Sequence, residues 1–554
     1  MHLNKKWLNW SNFQAIIMGL LLIQACASIQ QPEGGPKDEE PPKLIKETPE
    51  NYTRNFKDQK IILEFDEYFK LNNEFTEISI SPTQEVPPVY RVKQKRLEIE
   101  LKDTLETNTT YTINFGKAIS DVNEGNKFKD YTYVFSTGNE IDSLQISGRV
   151  IRAMDNQPVL DASVFIIPIS RDSIFGKKRA SIFTVTDSSG NFKLKNLKEN
   201  TYRLYALKEE GGGDRIFNNP KEEIAFLSDS VVLSKDTSNL LLKLFKEIPE
   251  QHRNIDRKIE NDGKITIIYN RPIANPNFRI IEPVVNDAII HYSKNADTTS
   301  IWIKNMEFDS LKVVSKTGDK ILDTLTLRRT KRDTYNRQIT FTSNLNNNKL
   351  KPGTVLTLTS NLPIENINKT KITLKQDSLL IPNFQIEGID KSKRQYRIVY
   401  PWRNKKTYTL EFQNEALTDI YGTKNEAVKA SFELDEIENY GNLSINVHKE
   451  DTVKQYIVQV IDEKENIIKE NVVKNTIVLN YNMMPNGKYR IRVVEDLNAN
   501  GVYDTGNVKR KEYPEKIWFY DKEIVIRPNW DREEKITIPK VFTDQPFIGT
   551  TEST

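Results

Sequence analysis

"TYTINFGKAISDVNEGN", residues 110–126, and "TYTLEFQNEALTDIYGTKN", residues 407–425, decide the fold. Each opens with Thr-Tyr-Thr, an apolar residue, a polar one and Phe, the period-two alternation of a half-buried strand. Each then turns at an apolar–hydroxyl–Asp–apolar tetrad, Ile119 to Val122 and Leu417 to Ile420. Each returns through a strand carrying Phe135 or Phe432. One sandwich type therefore occurs near both ends of the chain.

The surrounding sequence reads the same way. "KIILEF" (60–65), "RLEIEL" (96–101) and "YTYVFS" (131–136) are short, β-branched and aromatic, and Gly, Asn and Pro separate them. No long segment keeps a helical i, i+3, i+4, i+7 stripe. A second, looser repeat joins 201–233 to 488–526: a Tyr-Arg strand, a Gly- and Asn-rich loop, then Glu, Ile and an aromatic on the returning strand. The expected architecture is all-β, a series of β-sandwich domains. Sandwiches are expected at 46–138, 139–248, 249–345, 346–436 and 437–541, the middle one supported by "KITIIY" and "SIWIK" but by no repeat.

"DEEPPKLIKETPEN", "IILEFDEYFKL" and the closing "YVFSTG" resemble the SbsA-type bacterial Ig-like domain. "ISGRV", "TDSSGNFKL" and "LKENTYRLYA" resemble the carboxypeptidase regulatory-like, transthyretin-type sandwich. That name implies no peptidase, because the chain has no zinc-binding catalytic domain to go with it. Together these resemblances imply tandem Ig-like and transthyretin-like β-sandwich domains of a lipoprotein class found in Bacteroidota.

The amino terminus supports that address. Lys5 and Lys6 precede an apolar stretch, Ala15 to Ile23, which is short for a membrane span and suits an export signal. Ile23-Gln24-Ala25-Cys26 then resembles a lipobox, which implies cleavage after residue 25 and a lipid on Cys26. Cys26 is the only cysteine among 554 residues, so no intramolecular disulfide forms and stability rests on packing. Residues 26–45, with Pro32, Pro36 and adjacent Gly34 and Gly35, read as a flexible tether, and 542–554 as a disordered tail. The formal charge of +3 argues against nucleic acid as a partner, which needs a concentrated basic face.

Motifs for catalysis are lacking. His252, His291 and His448 are scattered, the first two in the expected 249–345 domain and the third in the last, and there is no His-Glu-x-x-His, Cys-x-x-Cys, Gly-x-Ser-x-Gly or P-loop. The chain therefore reads as non-enzymatic. One loop has cation spacing: in "DLNANGVYD", Asp496, Asn498, Asn500 and Asp504 stand at positions 1, 3, 5 and 9, with Gly501 at 6. Val502 at position 7 would offer a carbonyl, which makes calcium the candidate ion. Position 12 is Asn507, so the closing carboxylate would come from elsewhere, Glu495 or Glu512. The competing reading is a polar loop whose Asp and Asn side chains bond neighbouring amides. Tyr513, Trp518, Tyr520 and Trp530 form a candidate partner-binding patch, set against the reading that they alternate into a core.

The sequence thus leads to an outer-membrane lipoprotein whose body is expected to face the cell surface, with the periplasmic face as the other orientation. Its expected role is as a structural or interaction subunit of an envelope complex serving protein export or β-barrel assembly. The alternative is a surface glycan-binding or adhesive lipoprotein.

Overall fold

The computed structural model describes residues 38–128, 131–210, 213–219, 221–329 and 334–543. The leader, Cys26, the tether up to residue 37 and the tail from 544 lie outside the described residues. The chain is nearly all β, half of it in strands. It divides into two compact units, one ending at Ile141 and one starting at Asp142.

In the first unit, Leu44–Thr48, Lys60–Phe65, Arg96–Glu100 and Val89–Lys93 form one sheet in that order. Ser79–Ser81, Thr110–Asn114 and Thr132–Ser136 form the facing sheet, and Phe69–Leu71 pairs with Ile119–Asp121. Alternation sends Ile61, Leu63 and Phe65 inward to meet Tyr111, Ile113 and Phe135. The tetrad at 119–122 works as a turn lock: buried Asp121 accepts the amides of Glu124, Gly125 and Asn126. The first strand begins at Leu44, and Asn126 Nδ2 donates to the carbonyl of Asp38 at 2.8 Å. Residues 38–45 of the stretch read as tether are thus part of this sandwich's hydrogen bonding.

The second unit holds four sandwiches. In 142–248, Leu144–Arg152 pairs antiparallel with Asn191–Leu197 and parallel with Thr237–Lys246. The sheet continues through Glu223–Phe226 to Asn200–Lys208, Ser163–Pro168 and Ile182–Val185. The last sandwich repeats this: Tyr440–Lys449 pairs antiparallel with Ile477–Pro485 and parallel with Asp531–Ile538. Opposite stand Ile467–Val473, Gln455–Asp462, Gly487–Asp496 and Ile517–Phe519. A matching tyrosine marks each copy, Tyr202 donating to the Lys198 carbonyl and Tyr489 to the Pro485 carbonyl.

The middle sandwich corrects one expectation. Its sheets run Asn254–Ile259, Ile265–Tyr269, Thr298–Trp302, Ile289–Tyr292 and, facing, Pro276–Glu282, Ser310–Thr317, Lys320–Arg328. That is the strand order of 46–138, and the sandwich that follows has it too, with Phe341–Ser343, Leu356–Ser360, Gln395–Val399 and Gln385–Gly388. The supposed extra domain is a third sandwich of the first type. A short signature does survive in "IILEFDEYF" (61–69), "ITIIYNRPI" (265–273) and "LTLTSNLPI" (356–364). The last residue of each, Phe69, Ile273 and Ile364, is buried. Two boundaries also move. Ile339 and Phe341 join the core of the fourth sandwich, ahead of residue 346, and Phe542 packs on Tyr456 in the last.

Candidate functional site

The strand Gln455–Asp462 is buried on both faces over nearly its whole length, as are the outer half of Gly487–Asp496 and the centre of Ser163–Pro168. A strand in a two-layer sandwich with one wet face cannot do that. The second faces are covered by the other transthyretin-like sandwich. Phe165, Ile167, Tyr205, Ile224, Phe226 and Phe245 take in Val508, while Ile457, Ile461, Val494, Ile517 and Phe519 take in Met154 and Tyr503.

Much of that junction is made by one segment, 496–515, which leaves Gly487–Asp496 and returns at Ile517–Phe519. The loop begins where calcium was expected. Asp496, 3% exposed, accepts the amides of Asn500 and Gly501 and the side-chain amide of Gln455. Gly501 sits at φ 78, a conformation that favours glycine. Asn498 and Asn500 each accept the backbone amide two residues on, which is the Asx-turn pattern. Their Nδ2 groups consequently face Asp504 Oδ2, at 2.5 Å and 2.8 Å. The N–H of Val502 is the donor to Asn500. Side-chain oxygens of Asp496, Asn498, Asn500 and Asp504 thus accept N–H groups, all from the loop except that of Gln455, and among the described residues no group of three or more His, Cys, Asp or Glu is arranged to hold a metal ion.

The residue that closes the loop was missed in the sequence. Glu495 pairs with Lys454 and Glu512 with Arg510. Glu515, 4% exposed, accepts the amide of Leu497 at 2.8 Å and that of Asp504 at 3.0 Å. Burial holds its carboxyl above the ordinary value; the two amides pull it down, and Asp504 and Asp496 push it up again. Glu222 does the same work in the earlier copy, accepting the amides of Asn218 and Asn219. The signal was present: both glutamates stand two residues before the returning isoleucine, Ile517 or Ile224.

Beyond the loop, the segment grips the earlier sandwich. Thr505 Oγ1 donates to the Lys246 carbonyl at 2.7 Å, and Arg510 reaches Glu250 at 2.6 Å. A Cβ on Gly506 would lie 2.7 Å from Phe245 Cζ, so glycine is what lets the backbone come this close.

The aromatic patch is dispersed. Tyr513 stacks on Phe226, while Tyr520 is buried and donates to Glu534 at 3.0 Å. Trp518 packs on the core of its own sandwich beside Phe542. Strand alternation and the neighbouring sandwich claim these rings. Trp530 is exposed and, alone of the four, packs on no other aromatic ring among the described residues; Arg527 lies over it.

The histidines do not converge. His252 bonds the Pro272 carbonyl, and His291 sits near Arg394, with burial first and that cation second lowering its pKa. No described helix is long and apolar enough to cross a membrane.

Residues 38–137 match the bacterial Ig-like domain family. This Ig-like domain is the first unit, with the strand order that recurs at 254–328 and 341–434. No curated protein matches the chain. Solved structures with some likeness include BcpA, the major pilin subunit of Bacillus cereus, at 9% identity over 72% of this chain and 99% of that one, TM-score 0.14. The surface layer protein SbsC, domains 1–6, is 11% identical over 84% of this chain and 67% of that one, TM-score 0.14. The glucan-utilisation protein SGBP-B of Bacteroides ovatus, solved with a mixed-linkage heptasaccharide, is 10% identical over 62% and 88%, TM-score 0.17. Scores this low transfer no partner and no ligand.

Proposed function

We propose that this chain is a non-enzymatic lipoprotein of the outer membrane, held by a lipid on Cys26 and facing the cell surface. In this reading it acts as a structural or interaction subunit of an envelope complex that serves protein export or β-barrel assembly. The observation that carries the reading is the back-to-back packing of the two transthyretin-like sandwiches through Val508, Met154 and Tyr513. Burying the second face of both sheets produces a stiff body assembled from modules, and stiffness of this kind serves positioning. The loops that such folds free for chemistry are here spent on holding the body together.

Affinity purification of the native protein from membranes, with mass spectrometry of the protein and of what co-purifies, tests the proposal. The expected result is a diacylglyceryl adduct on Cys26 and a stoichiometric envelope partner. A soluble, unacylated protein recovered alone would overturn it. Protease shaving of intact cells tests the orientation, with loss of the body expected.

A further inference from the structure

The sheet of 142–248 has one face left open, formed by Leu144–Arg152 between Asn191–Leu197 and Thr237–Lys246. Alternation points Ile146, Val150, Phe192, Leu194, Leu242 and Leu244 into the core. Arg149, Lys193, Lys195 and Lys243 are therefore sent to the opposite face.

Register places these cations together. Ser147 lies opposite Lys193, and Arg149 lies between Asn191 on one side and Leu241 on the other. The parallel pairing steps between Ile146–Thr237 and Gly148–Leu240, with Asn239 at φ 60 as the extra residue. Over this step runs an open groove of about 620 Å³, lined in part by Ser147, Arg149, Asn191, Lys193, Asn239 and Leu241. That volume is in the range of sites that hold small ligands.

Three of these cations, Arg149, Lys193 and Lys195, have no carboxylate partner among the described residues. Arg149 Nε donates to the Ser189 carbonyl, which fixes the guanidinium and leaves its terminal nitrogens without an acceptor among the described residues. Lys193 and Lys195 have no ion-pair partner among the described residues. One carboxylate lines the groove, Asp187, held by the amides of Ser189 and Asn191, and Asp236 nearby bonds Gln145, so the three cations outnumber the one lining carboxylate. In the last sandwich the corresponding face carries Asn442, Ser444, Asn446 and Asn480 beside Asp531, Glu533 and a single cation, Lys535, so the repeat has diverged in charge there.

We propose that this cationic groove binds an acidic polysaccharide, its carboxylates on Arg149, Lys193 and Lys195 and its hydroxyls on Ser147, Asn191 and Asn239. A carboxylate matches the free edge of a guanidinium in two parallel bonds. Main-chain pairing of an extended peptide would use the free edge of Asn191–Leu197, beside the groove, whereas Leu144–Arg152 at its floor is hydrogen-bonded on both sides. The proposal stands apart from the role as an envelope subunit, and each can fail alone.

The test measures binding of polygalacturonate to the full chain by calorimetry, with dextran as the neutral polymer. Binding to polygalacturonate alone is expected, weakening as salt rises. R149E/K193E/K195E is expected to lower affinity by about tenfold or more, while K535E on the corresponding face of the last sandwich leaves it unchanged. Circular dichroism and melting temperature check that the triple variant folds, and R149Q/K193Q replaces it if it does not. Absence of binding, or binding indifferent to these residues, overturns the proposal. Equal binding of poly-L-glutamate through the same residues also overturns it, in favour of an acidic protein segment.

Discussion

Tyr513 lies flat on Phe226, ring centroids 5.0 Å apart and planes within 3°, and its hydroxyl accepts the amide of Ser228 at 2.8 Å. The two residues belong to different copies of the same sandwich. A ring that is half exposed by area is thus committed to an internal joint. Tyr513→Ala is expected to cost about 2 kcal/mol, the stack and the hydrogen bond together. Tyr513→Phe keeps the stack and is expected to cost about 1 kcal/mol. Urea denaturation gives both values, and hydrogen exchange at 224–228 should rise in the alanine variant first.

Gly506→Ala tests the same joint from the backbone side. The new methyl would meet Phe245 Cζ and the Glu512 carbonyl, each at 2.7 Å. Relief requires the segment to back away from the earlier sandwich, at a cost of about 1–3 kcal/mol. An unchanged melting temperature would show that the joint is looser than these contacts imply.

Glu515 provides a pH signature. Its folded pKa is raised above 4.5, chiefly by burial. A carboxyl raised on folding adds stability that is fully present below the unfolded pKa and lost as pH rises through the folded value. Relative to Glu515→Gln, the wild-type chain is therefore expected to lose stability as pH climbs from 4.5 through the raised value. Denaturation of both proteins across that window reads the difference. A constant gap would mean that the carboxyl titrates normally.

The loop at 496–504 separates ion binding from self-closure. Asp496→Ala strips the acceptor from two backbone amides and Gln455, and is expected to cost about 3 kcal/mol. Because Asn498 and Asn500 already direct N–H groups at Asp504, chelator and calcium are expected to give the same melting temperature. A rise specific to calcium would assign the ion to this loop, with Glu515 as its closing carboxylate.

The Asp turn of the first sandwich type gives a comparison within one chain. Asp121 accepts three amides, whereas Asp419 accepts those of Tyr421 and Thr423 through one oxygen. Asp121→Ala is expected to destabilise its sandwich more than Asp419→Ala does its own. Thermal melts of the two variants make the comparison.

The strands, the two sandwich types and the turn at Asp121 and Asp419 were legible because each depends on a local pattern: alternation, a glycine, an Asp within reach of the next amides. The third copy of the Ig-like order was not. Its nine-residue signature keeps only apolar residues at the first, third and last positions and an Asp or Asn at the sixth, too little to rise above the background of β-rich sequence. The joint between the transthyretin-like sandwiches belongs wholly to tertiary structure. A strand such as "YIVQV" (456–460), apolar but for Gln459, says that both faces are covered, but not by what. Glu515 closes the loop from outside it, and Tyr513 turned from an exposed aromatic into half of a stack, because packing brings together residues that no spacing along the chain relates.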